Sequence, residues 1–208
     1  MTPIEALKRL QDGNRRFMTG NRVSVDTASP ARRNAVVADQ SPFAIILGCS
    51  DSRVPAEIVF DQGLGDLFVI RVAGNVVAPS QIGSVEFAAE WFGTRLVVVL
   101  GHSRCGAIQA TLQELLHQTR HSSSNLRSIV DRVRPSMEPL LEASPGGDPE
   151  VLVQLGVRAN VRASANHLRH GSAMLEQLIR EDGLLIVGAD YSLDTGLVEF
   201  FDGLPTDG

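Results

Sequence analysis

Cysteine, indole and phenol side chains and long apolar runs are what this chain has least of. Among 208 residues there are two cysteines, one tryptophan and one tyrosine. Two cysteines cannot make a disulfide framework, which points to a reducing compartment and to thiolate chemistry. The longest apolar runs, Phe43 to Leu47 and Leu96 to Leu100, hold five residues each, whereas a membrane span needs about twenty. There is no block of like charge, and the net charge is −5, so a nucleic-acid surface is disfavoured. No secretory signal is visible: Met1-Thr2-Pro3 leads straight into an amphipathic pattern, and the cytoplasm is the expected location. The remainder is ordinary. Apolar residues at 43% and charged residues at 21% are those of a soluble globular protein and exclude disordered or fibrous classes. The length suits one domain, residues 1–208, with 1–40 as a helical arm and connection.

Thr2-Pro3-Ile4-Glu5 reads as a capping box with proline at the first helical position. Ile4, Leu7, Leu10 and Phe17 follow at roughly helical spacing, and Gly20 ends the segment. This arm has little nearby in sequence to bury against, which suggests packing on a dimer partner. Residues 21–40 are polar and read as a connection holding a short helix. Phe43 to Leu47 is a short continuous apolar run, as expected of a strand buried on both faces. Asp66 to Val72, Arg95 to Leu100 and Gly183 to Ala189 read as three more strands. Helical stretches are expected over 56–61, 80–92 and 107–120, with a long helical region over 126–181 broken by the turn cluster Ser144 to Pro149. Strands alternating with helices predict an α/β fold, a mostly parallel central sheet flanked by helices.

Two segments concentrate the reactive side chains. Cys49-Ser50-Asp51-Ser52-Arg53 follows the first buried strand, and Gly101-His102-Ser103-Arg104-Cys105-Gly106 follows the third. In open parallel sheets ligands bind beyond the carboxyl ends of strands. Cys49, His102 and Cys105 together make a three-ligand zinc set, leaving a fourth position for water or a carboxylate. Asp51 could take that position or pair with Arg53. The plainer alternative is two inert buried thiols, but both cysteines follow strand ends and each has a charged neighbour. The Cys49–Arg53 spacing is too short for a phosphatase loop. There is no Cys-x-x-Cys pair, and no Walker-type glycine loop. A Cys–His nucleophilic dyad would leave the second cysteine and Asp51 without a task. His117 and His121 have helical spacing but read as a solvated face.

Cys-Ser-Asp-Ser-Arg, followed about fifty residues later by Gly-His-x-x-Cys-Gly, resembles the β-class carbonic anhydrases. The likeness extends to Ala6–Phe17, to Phe68-Val69-Ile70-Arg71 and to Gly188–Gly196. It implies one Zn²⁺ per chain on Cys49, His102 and Cys105. It implies Asp51 and Arg53 as a catalytic dyad, with Asp51 a possible fourth ligand in an inactive state. It implies that Gln40 helps to bind substrate or product, and that Phe68 and Phe87 form an aromatic wall; Phe87 stands where many members carry tyrosine. Some members have an inhibitory bicarbonate site with a tryptophan three residues before the first zinc cysteine. Ile46 stands there in this chain, although Arg71 and Tyr191 resemble other partners of that site, and the unregulated form is expected.

The implied function is zinc-dependent reversible hydration of carbon dioxide to bicarbonate and a proton, through zinc-bound hydroxide. The implied assembly is a homodimer or homotetramer with no nucleic-acid or membrane partner. Because the family site lies at a dimer interface, Gln40 and the aromatic wall are expected to serve a neighbouring chain's zinc. Hydrolysis of carbonyl sulfide or carbon disulfide, and a purely structural zinc, are the competing readings. The joint presence of Asp51, Arg53 and Gln40 speaks against a structural zinc.

Overall fold

The computed structural model describes residues 1–23, 28–117 and 123–205. Five strands form one sheet in the order β2-β1-β3-β4-β5. They are β1 (Ala44–Gly48), β2 (Leu67–Arg71), β3 (Leu96–His102), β4 (Leu185–Tyr191) and β5 (Val198–Asp202). β1 pairs in parallel with β2 and β3, β3 pairs in parallel with β4, and β5 runs antiparallel to β4. The helices are α1 (Pro3–Met18), α2 (Pro30–Ala35), α3 (Ala56–Val59), α4 (Pro79–Trp91), α5 (Gly106–His117), α6 (Ser124–Ala143), α7 (Pro149–His170) and α8 (Ala173–Glu181). The expected α/β class is the one observed. No described helix is long and apolar enough to cross a membrane.

Every residue of β1 and β3 is buried, which is why both strands read as continuous apolar runs. Alternate side chains go to opposite faces. Ile46, Val98 and Leu100 pack with Leu7, Leu10 and Phe60 on one face. Ile45, Leu47, Val97 and Val99 pack with Ala88, Val161 and Leu168 on the other. The chain leaves β1 for β2 on one side and returns past β1 to β3 on the other. The switch point therefore lies between β1 and β3, where a parallel sheet opens a crevice at its carboxyl edge.

Three expectations need correction. β5 was not expected; its sequence VEFFD is short and mostly half-exposed, without the clear pattern of a core strand. β3 runs two residues further than Leu100, so His102 is the last residue of a strand and pairs in register with Tyr191. The first helix does have a surface of its own chain to bury against: Ala6, Leu7 and Leu10 are buried there. A β-carbon at Gly13 would sit 1.9 Å from the Phe60 carbonyl oxygen, so only glycine permits this approach. Asn14 then ties α1 down, donating to the carbonyls of Val59 and Gly196 and accepting from the Val198 amide. Ile4 and Met18 are left exposed. The capping box forms as the sequence predicts, with Thr2 and Glu5 exchanging hydrogen bonds.

Candidate metal centre

The end of β1 and the end of β3 deliver three ligating atoms to one point. The Cys49 and Cys105 sulfurs and a ring nitrogen of His102 all lie within 4.8 Å of one another, and all three residues are buried. His102 is placed by the strand itself. Cys105, three residues on, is turned back by Arg104, whose φ of 57° lies in the left-handed region, a conformation uncommon outside glycine. His102 Nδ1 faces the Ser103 carbonyl at 2.9 Å, which fixes the tautomer and leaves Nε2 towards the sulfurs. Among the described residues that buried Nε2 has no hydrogen-bond partner.

The electrostatics suit a cation. The Cys49 thiol is held down to about 4, first by the Cys105 thiol donating to its sulfur, then by His102 and by the backbone amides of Asp51 and Gly74, against its burial. Cys105 is pushed the other way, by its donation to Cys49 and by burial. For His102, burial opposes protonation, but the Cys49 sulfur and its charge outweigh burial and raise the pKa. Two buried sulfurs, one of them favoured as thiolate, and an imidazole nitrogen turned towards them form a set that fits a tetrahedral N/S-preferring ion with one position left over.

Asp51 and Arg53 sit on the loop beyond Cys49. Arg53 Nε donates to Asp51 Oδ1 at 2.9 Å and Nη2 to Oδ2 at 2.7 Å, with a third bond from the Arg53 amide to Oδ1 at 3.0 Å. This two-pronged clamp holds the Asp51 carboxyl well below the usual carboxylate range, chiefly through the Arg53 side chain. Asp51 Oδ2 still lies 3.9 Å from His102 Nε2. The carboxylate is thus turned to arginine while facing the ligand cluster. Behind the loop, Arg71 at the end of β2 donates to the Cys49 carbonyl at 2.9 Å and to the Asp51 carbonyl at 2.5 Å.

Gln40, Phe68 and Phe87 are not brought to this cluster within the chain. Gln40 is exposed and precedes β1, whereas Cys49 follows it, so the two lie beyond opposite ends of the strand. Phe68 pairs in register with Ile45, about 13 Å below Cys49. It meets Phe87 and Phe92 at ring-centroid distances of 6.2 and 6.0 Å. Phe87 stacks on Trp91 at 5.6 Å. The result is an aromatic face on the edge strand, with Phe87 46% and Trp91 74% exposed. His117 bonds Gln113 of its own helix, and His121 lies outside the described residues.

The reading of the sequence missed four residues behind Cys49: Gly74, Asn75, Asn160 and Ser164. The Gly74 amide donates to the Cys49 sulfur at 3.4 Å, and α7 holds the Gly74 and Asn75 carbonyls through Asn160 and Ser164. A signal existed: Asn160 and Ser164 are polar, four apart, on a helix face otherwise made of Val157, Val161, Ala165 and Leu168.

A fold with its cysteines and histidine at the switch point, and an Asp–Arg pair beside them, defines a class of metal-dependent lyase whose model, carbonic anhydrase, matches residues 44–198. Carbonic anhydrase 2 of Mycobacterium tuberculosis is 40% identical over 194 residues, 93% of this chain and 90% of the relative. Carbonic anhydrase of Mycolicibacterium smegmatis is 39% identical over 197 residues, 95% and 92% of the two chains. Among solved structures, the β-carbonic anhydrase CafA of Aspergillus fumigatus superposes with a TM-score of 0.75 at 22% identity, over 97% of this chain and 91% of that one. One of two β-carbonic anhydrases from Sordaria macrospora described as tetrameric superposes with a TM-score of 0.72 at 24% identity, over 83% and 87%. The chain belongs to the β-class carbonic anhydrases.

Proposed function

We propose that Cys49, His102 and Cys105 hold one zinc ion and that Asp51 and Arg53 are the acid–base machinery beside it, in the reversible hydration of carbon dioxide to bicarbonate and a proton. The observation that carries the reading is the buried three-atom cluster with a clamped carboxylate facing it. Zinc supplies a Lewis acid that makes a coordinated water acidic near neutral pH. Arg53 keeps Asp51 ionised and held off the ligands while the carboxylate still faces them. The Asp51 carboxylate accepts the hydrogen bond of the attacking water and so aims its lone pair at CO₂. Were Arg53 to let go, Asp51 could swing onto the metal and close the fourth position.

The substrate-binding part of the site needs a second chain. Gln40, Phe68 and Phe87 lie away from their own chain's cluster, and the stacked Phe87–Trp91 pair is an exposed apolar surface on α4, beside edge strand β2. A homodimer, alone or as half of a tetramer, covers this surface and delivers Gln40 and the aromatic wall to the neighbour's zinc. Gln40 then donates its amide to the developing bicarbonate oxygen, and the wall suits a nonpolar gas.

The test is stopped-flow CO₂ hydration by zinc-loaded protein from about pH 6.5 to 9. Fast hydration that switches on as pH rises supports the reading. Absence of hydration at every pH, with one zinc per chain, overturns it; turnover of carbonyl sulfide or carbon disulfide by the same sample would then identify the substrate class.

A further inference from the structure

β2 leaves the sheet at Arg71 and passes behind Cys49 in a single 3₁₀ turn, Ala73–Asn75. Two consecutive residues of this turn are left-handed: Gly74 at φ 67° and Asn75 at φ 42°. Such a backbone persists only when its surroundings hold it. A β-carbon on Gly74 would come within 2.9 Å of Ala107 Cβ, so the turn is also pressed against the start of α5. Its polar anchors come from α7. Asn160 Nδ2 donates to the Gly74 carbonyl at 2.7 Å, and Ser164 Oγ donates to the Asn75 carbonyl at 3.0 Å. Both residues are buried, as is Asn75. The outcome of this bracing is that the Gly74 amide faces Cys49 Sγ at 3.4 Å.

We propose that Asn160 and Ser164 are positioning residues for the metal centre, bracing the Ala73–Asn75 turn so that the Gly74 amide donates to the Cys49 sulfur. The inference rests on the reading of Cys49 as a metal ligand. Its chemical consequence follows from the donor set. Two thiolates push more electron density onto a metal than two imidazoles would, which blunts its Lewis acidity. An amide hydrogen bond draws density back from one sulfur and also fixes where that sulfur points, as outer partners do for metal ligands generally. Asn160 and Ser164 touch neither metal nor substrate; they act through Gly74.

The probe is the cobalt(II)-loaded protein, in which thiolate-to-metal charge-transfer bands report the sulfur lone pairs directly. Loss of the amide bond raises those lone pairs in energy. Asn160→Ala is therefore expected to move the bands to longer wavelength and to weaken zinc, measured by chelator competition, by about tenfold. Ser164→Ala, the milder change and the variant to use if Asn160→Ala does not fold, is expected to shift the bands in the same direction by less. Leu168→Ala, a fully buried leucine one turn further along α7, is expected to lower the melting temperature and leave the bands in place. Bands that stay put in both polar variants overturn the proposal. Wild-type protein that binds cobalt without thiolate bands would instead overturn the reading of Cys49 as a ligand, so the two failures are distinguishable.

Discussion

The strand-end cluster and the aromatic edge face are built to opposite specifications. At the cluster the three ligating residues are buried, and the reactive groups are held from behind: His102 by the Ser103 carbonyl, Asp51 by Arg53, and the Cys49 loop by Arg71 and Gly74. At the edge, Phe68, Phe87 and Phe92 touch one another and Trp91 stacks on Phe87; Trp91 is largely in solvent and Phe87 nearly half so. A bare aromatic stack at a sheet edge is costly to leave in water, and edge strands are ready templates for association. The contrast teaches that one chain supplies a finished metal-binding half and an unfinished substrate-binding half.

Cys105→Ala attacks the finished half and carries the largest expected effect. Zinc measured by mass spectrometry should fall well below one per chain, and hydration should drop to background, because two ligands cannot hold the ion against competing chelators. Retention of full zinc would break the comparison on that side.

A mixing experiment addresses the unfinished half. Gln40→Ala should be inactive or nearly so with zinc bound, and Cys105→Ala inactive without it. If the wall and glutamine cross the interface, mixed dimers contain one site with a whole ligand set and a whole Gln40. Subunit exchange should then restore up to about a quarter of wild-type activity. No recovery, with mixed dimers demonstrated, would place both halves of the site on one chain.

The smallest effect concerns a carboxyl outside both regions. Asp190, on β4, is raised to about 6, first by burial, with Arg158 opposing and Glu199 assisting. Among the described residues its Oδ1 has no hydrogen-bond partner. Because its pKa is higher folded than unfolded, its favourable contribution is complete below about pH 4 and is lost as pH rises through about 6. Asp190→Asn should therefore stabilise the protein by about 1 kcal/mol at pH 8, a figure reduced for the group's remaining solvent exposure, with little change near pH 4. Thermal melts at the two pH values check this; equal effects at both would show that the group is not titrating as its surroundings dictate.

Legibility in the sequence followed the range of the interactions. Cys49, Asp51 and Arg53 sit within five residues, and His102 and Cys105 within four, so short motifs at strand ends exposed them. The parallel core strands were plain for the same local reason. β5 was not legible because a half-exposed antiparallel edge carries no continuous apolar run. The burial of α1 was hidden in Gly13 and Asn14, whose meaning depends on Phe60, Gly196 and Val198 across the fold. Asn160 and Ser164 act on residues 86 and 89 positions away, so the polar pair on an apolar helix face signals a buried hydrogen bond but not what it holds. The aromatic wall was legible as residue types, but the separation of Phe68 from Cys49 by about 13 Å of strand only appears in three dimensions.

Asp51→Asn in the zinc-loaded protein tests the central claim most directly, with zinc content and stopped-flow hydration measured on the same sample. The account predicts one zinc per chain and a rate reduced by about 10²–10⁴, since the ligands are untouched and only the hydrogen-bond acceptor facing them is lost. A variant that keeps its zinc and hydrates CO₂ at the wild-type rate would contradict it.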